Sequence, residues 1–176
     1  MVIFLPKHEP TNEEISNGVN LLISILISYP EISTVSFDPQ YNHIKLKLML
    51  SAIPSENEFS IIKHLLIDSI AVYNMLEGLP LKTSEIHLDT HDKVAILSII
   101  RDINTLSLDE LTLIITLLRE NLANYLILEY HIPLSQEDLL SQEEIIETML
   151  ENMQAHRLLY SLLAIRENGR VLVFNK

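Results

Sequence analysis

Two stretches of this chain superimpose at an offset of 52 residues, and both are written in helical period. Ser55, Glu58, Phe59, Ile62, Leu65, Leu66, Ile70, Tyr73 and Leu76 line up with Ser107, Glu110, Leu111, Ile114, Leu117, Leu118, Leu122, Tyr125 and Leu128. A third stretch echoes them through Thr11, Glu14, Ile15, Leu21, Leu22, Leu26 and Tyr29. Each opens with a hydroxyl residue and a glutamate three places later, so the hydroxyl accepts from an orphan backbone N–H and the carboxylate reaches back to the cap. Any amphipathic helix shares leucine spacing, so the stretches read either as a structural repeat, on the common cap, Leu-Leu pair and tyrosine, or as helices that merely look alike. Three such helices need an apolar floor to pack on, and the segments between them supply one.

Those segments are written in period two. After a short strand over residues 2–5, the first helix runs over 11–29 and stops at Tyr29-Pro30. Val35 and Phe37 alternate with Thr34 and Ser36, a turn follows at 38–42, and Ile44, Leu46 and Leu48 return opposite Lys45 and Lys47. That alternation implies one sheet face covered by helices and one wet or awaiting a partner. Pro54 precedes a second helix over 55–77, closed by Gly78-Leu79-Pro80. A second hairpin sets Ile86 and Leu88 inward and Glu85, His87 and Asp89 outward, and returns over 93–100 with both faces apolar. The third helix spans 107–130, apolar around much of its circumference, which points to burial on more than one side and to self-association. Between Glu129 and His156 stand seven acidic residues and no lysine or arginine, read as the solvated face of a helix from Ser141 to about Arg166. Asn168-Gly169 either stops this helix or turns a hairpin; the stop is the preferred reading, with 170–174 as a final strand.

Bulk properties narrow the function classes. With 48% hydrophobic residues and only 3 glycines, a chain of 176 residues can bury a substantial core. No apolar run approaches the roughly 18–20 residues of a membrane span. The first residues lack the basic segment of a signal peptide and there is no cysteine, so a cytoplasmic location is expected without disulfides or thiolate metal sites. Twelve basic against 24 acidic residues give a net charge of −12, which opposes phosphate binding and nucleic-acid partners.

Candidate chemistry is sparse. His87, Asp89 and His91 form the one cluster of ligand-type residues; His87 and Asp89 share a strand face, His91 sits in the expected turn, and no further ligand follows. His64 and Asp68 lie four apart on the second helix and read as a surface pair. Tyr29, Tyr73 and Tyr125 read as packing residues with wet hydroxyls. There is no phosphate loop and no nucleophile elbow. No catalytic, cofactor-binding or metal residue is assigned, and the chain is expected not to be an enzyme.

The order helix, hairpin, helix, hairpin, helix on a small acidic chain resembles the class I type III secretion chaperones. The resemblance covers about residues 11–130. It is carried by Lys45 through Pro54, Leu65-Leu66 through Tyr73 to Gly78, Glu85 through Leu97, and Leu106 through Leu111 into Asn124-Tyr125. It implies a homodimeric cytoplasmic chaperone without nucleotide chemistry that holds an extended segment of a secreted protein by strand addition and apolar patches. It also implies a dimer formed through the second helix, with Ile62, Leu66, Ile70 and Tyr73 as contact residues. The expected class is α+β, antiparallel hairpins packed by helices. Residues 1–133 form the chaperone-like domain, and 134–176 an acidic helix and terminal strand packed on it. The strand at 2–5 opens an alternative: 2–88 also reads β-α-β-β-α-β, the ferredoxin-like order, which would make a small-molecule-binding regulatory module with an enclosed pocket.

Overall fold

The computed structural model describes residues 2–5, 12–128 and 133–175; the Thr11 cap and residues 129–132 lie outside the described residues. The chain folds as β1 (Val2–Leu5), α1 (Asn12–Ser28), β2 (Thr34–Asp38), β3 (His43–Leu50), α2 (Glu56–Leu76), β4 (Ser84–His91), β5 (Val94–Asp102), α3 (Leu108–Leu122), α4 (Gln136–Ala155), β6 (Leu162–Glu167) and β7 (Arg170–Asn175). One seven-stranded sheet runs in the order β1-β7-β6-β2-β3-β5-β4, antiparallel throughout except for the β1–β7 pair. The class is α+β, as expected.

Register explains why the helices share one face. Ile86, Ile99, Leu46, Val35, Ala164 and Val173 stand opposite one another from β4 to β7, and each is almost fully buried. Because side chains alternate along a strand, this row commits every second residue to the helical side. Leu21, Leu22, Ile25 and Leu26 of α1 pack there, as do Leu66 and Ile70 of α2 and Leu111, Ile114, Ile115 and Leu118 of α3. Gly18 lets α1 approach closely: a Cβ there would lie 2.6 Å from Leu162 Cδ1 and 2.7 Å from Leu158 Cδ2.

The capping box of α2 forms in full: Ser55 Oγ accepts from the Glu58 N–H at 3.1 Å and the Glu58 carboxylate accepts from the Ser55 N–H at 2.9 Å. In α3 the repeat half fails. Ser107 Oγ still accepts from the Glu110 N–H, but the Glu110 side chain turns inward to Arg101. The helix also ends at Leu122 rather than near 130. β2 begins opposite Lys47, leaving the end of β3 unpaired on that side, and the chain after α3 fills the gap. Tyr125 O accepts from the Ser51 N–H at 2.7 Å and the Ile127 N–H donates to Met49 O at 3.0 Å.

The C-terminal part departs most from expectation. α4 starts at a Ser135 cap and stops at Ala155, and its buried residues are Ile146, Leu150 and Met153. Residues 162–167 are strand, not helix, and Asn168-Gly169 turns a hairpin with φ of 50° and 72°, the left-handed geometry of a two-residue turn. That hairpin inserts β6 beside β2, joining 162–175 to the main sheet. Arg166 is buried and donates to the carbonyls of Leu26, Tyr29 and Ile32, at the end of α1 and just beyond it.

The ferredoxin-like alternative fails on strand order. That fold needs the first strand between the third and the last of its four, whereas β1 lies at the far edge, parallel to β7. The expectation about span length is also corrected. Among the described residues one helix, α2, is long and apolar enough to cross a membrane by length and composition. It is packed on one side only, with Ile62, Leu66, Ile70 and Asn74 buried in the core.

Candidate functional site

α2 carries two apolar faces. The inner one holds Ile62, Leu66 and Ile70 at 8, 0 and 0% exposure; Tyr73 is half-buried, and its hydroxyl shares a 3.0 Å hydrogen bond with Ser107 Oγ. The four residues expected to contact a second copy are thus engaged inside this chain, which corrects their assignment as an interface. The outer face carries Ile61, Leu65, Val72, Met75 and Leu76 at 61, 36, 50, 69 and 76% exposure. Within α2, positions 61, 65, 68, 72 and 75 alternate steps of four and three, the a/d spacing of a helix seam, with Asp68 the one charged residue within it. That stripe was legible in the sequence. Two stripes interleave on one helix, and the 52-residue repeat runs through both, with Leu65 and Leu76 on the outer one and Ile62, Leu66 and Ile70 on the inner.

Among the described residues no helix covers the opposite face of the sheet, whose apolar residues are half-buried. Glu85, Ile100, Lys45, Ser36, Leu163 and Phe174 form one row across it, and His87, Ser98, Lys47, Thr34, Ile165 and Leu172 the next. The β4 end is polar, the β6–β7 end apolar, and two lysines sit in the middle. At one margin Tyr41 stacks on His43 with ring centroids 5.6 Å apart. Both rings line an open cleft of about 530 Å3, shared with Lys45, Ser36, Asp38 and Ser161. His43 Nε2 is 3.0 Å from Thr83 Oγ1.

The residues singled out for chemistry do not assemble. His87 Nε2 lies 3.2 Å from a Glu85 oxygen, with both side chains about half exposed. Asp89 and His91 continue along the same exposed edge strand. Among the described residues no group of three or more His, Cys, Asp or Glu is placed to hold a metal ion. His64 Nδ1 bonds the Ser60 carbonyl oxygen at 2.7 Å, so the expected pairing with Asp68 is replaced by a helix-internal one.

Sequence reasoning missed a buried ionic cluster. Arg101 is 1% exposed and Glu110 0%; Nε and Nη2 of Arg101 donate to the two Glu110 oxygens at 2.7 Å each. Arg101 also donates to Thr83 O, Thr105 Oγ1 and Asp102 Oδ1, and Asn74 Nδ2 donates to Glu110 Oε1 at 2.6 Å. Burial opposes ionisation of Asp102. Hydrogen bonds from the Thr83 N–H and Thr105, with the Arg101 charge, outweigh it and hold the carboxyl below its ordinary range. The charges here are spent on one another, so the cluster ties α2, β5 and α3 together. Burial also raises the Tyr29 phenol, whose hydroxyl pairs with Thr112 at 3.2 Å.

Comparison with protein families, curated proteins and solved structures yields no match for this chain.

Proposed function

We propose that this protein is a non-enzymatic chaperone-like adaptor that pairs with a second copy through the outer face of α2 and holds a segment of another protein. The observation that carries this reading is the second apolar stripe of α2, which the described residues leave uncovered. Isolated exposed leucines are ordinary, but four large apolar side chains at a/d spacing, with Leu76 beside them, mark a contact surface. Burying a large aliphatic side chain fully gains about 1.5–3 kcal/mol. With roughly half of each already buried, the stripes of two copies together gain on the order of 10 kcal/mol. Association costs about 4–15 kcal/mol, so the pair is expected to be reversible. An antiparallel arrangement sets Leu65 against Met75 and Asp68 against Val72, which keeps the two Asp68 carboxylates from meeting.

Light scattering after size exclusion tests it. The native chain should give twice 20.2 kDa at tens of micromolar, and Leu65→Asp should give 20.2 kDa with an unchanged circular dichroism spectrum. A native chain monomeric at 200 μM refutes the pairing. A second reading, binding of a small regulatory molecule, rests on the cleft beside Tyr41 and His43. A compound that raises the melting temperature of the native chain but not of Lys45→Gln favours that reading.

A further inference from the structure

An antiparallel sheet face that looks into water is normally polar. Here Ile96, Ile100, Leu163, Ile165, Leu172 and Phe174 are only half-buried on the bare face. In their midst Lys45 and Lys47 stand two residues apart on β3, about 7 Å along the strand. Their register neighbours are Ile100 and Ser36 for Lys45, and Ser98 and Thr34 for Lys47. Among the described residues neither lysine has an ion-pair partner. The chain has only 12 basic residues against 24 acidic ones, so two lysines side by side on this apolar floor are a local inversion of its charge.

The shape of the occupant follows from backbone accounting. In the middle of the face, strand N–H and C=O groups are already paired with neighbouring strands, so the floor offers side chains alone. An extended segment laid across it would leave its own backbone unpaired over apolar ground, whereas a helix satisfies its backbone internally. The charge follows from the lysines, whose repulsion a carboxylate relieves. The net charge of −12 repels an acidic ligand at a distance, but physiological salt screens that beyond about 8 Å. A second copy is disfavoured by symmetry. The α2 stripe looks outward from the helical layer, opposite to the bare face, so seating one on the other builds an open head-to-tail array rather than a closed pair.

We propose that the bare sheet face is the docking site for an amphipathic helix of another protein, whose aspartates or glutamates meet Lys45 and Lys47 and whose apolar residues cover Ile96, Ile100, Leu163 and Ile165. This rests on the segment-holding reading above and specifies the segment as helical and acidic. The docked helix completes a three-layer arrangement, and pairing through α2 leaves both copies' faces available.

The test is selection of random 20-residue peptides displayed on phage against the full chain, with Lys45→Glu/Lys47→Glu protein as counter-selection. Enriched peptides should carry apolar residues at helical spacing with Asp or Glu beside them, and should gain helicity on binding. Their amide shift perturbations should map to 45–47, 96–100 and 163–172. Reversing both lysines should weaken binding about tenfold or more. A peptide with its acids changed to lysines should prefer the reversed protein, and Lys45→Gln/Lys47→Gln should lie between. Enriched peptides that lack carboxylates, or that perturb 84–91 as an added strand, overturn this inference and leave the segment-holding reading intact. No enrichment at all overturns both. Mass that rises with concentration in Leu65→Asp protein and is abolished by the lysine reversal identifies a second copy as the occupant, and also overturns it.

Discussion

Replacing Arg101 by alanine removes the cation from a cluster that water does not reach. Glu110 is 0% exposed and takes both of its Arg101 hydrogen bonds at 2.7 Å; Asp102, at 3% exposure, is a further partner. Deleting one partner of a buried pair costs about 3–5 kcal/mol, chiefly because the remaining charge stays buried and uncompensated. Against a total stability of about 5–15 kcal/mol that is a large fraction. In a chain of this size each kcal/mol moves the melting temperature by about 2–4 °C, so Arg101→Ala should melt roughly 6–20 °C lower. Urea unfolding followed by circular dichroism at pH 7 measures it. The same curves on Arg101→Met, Glu110→Leu and Arg101→Met/Glu110→Leu form a double-mutant cycle, in which the double change should recover much of the loss of either single one. A loss under 1 kcal/mol for Arg101→Ala, or strict additivity in the cycle, refutes the argument that the cluster is held by mutual compensation.

The two faces of α2 predict opposite behaviour for neighbouring leucines. Leu66→Ala should lower stability by about 2–5 kcal/mol, while Leu65→Ala should change the stability of the monomer by about 0.5 kcal/mol or less, both read from urea midpoints at low protein concentration. Asp102 predicts acid sensitivity. Its folded carboxyl lies below the unfolded value of about 3.9, so its contribution is complete above that value and is lost as pH falls through the folded one. Asp102→Asn should therefore lose less stability than wild type between pH 5 and pH 2, and parallel losses would contradict this. Gly18→Ala should destabilise by about 1 kcal/mol: the helix-propensity gain of about 0.5–1 is outweighed by about 1–3 for displacing the buried ends of Leu158 and Leu162. A raised melting temperature would show that those leucines move freely.

Local chemistry was enough to determine α1, α2, the two central hairpins and their inward residues, because hydrogen bonds within a helix and alternation along a strand depend on near neighbours. Ser55 and Glu58 form their box, and Val35, Leu46 and Ile86 face the core that period two assigns them. Residues 162–167 misled because their apolar spacing suits helix and strand alike; the free edge of β2 decided between them, and that edge comes from a strand over a hundred residues earlier. The fate of Glu110 turned on the same kind of distance. By sequence it should close a cap on Ser107, yet folding brings Arg101 to it in a dry interior, where a charge is worth more to another charge than to a backbone N–H. Which face of α2 is spent inside the chain was likewise settled only by packing. Once β4 and α3 take up Leu66 and Ile70, Ile61, Leu65 and Val72 are left for whatever meets the surface, since a helix two-sided in oil finds cover for one side in a two-layer fold.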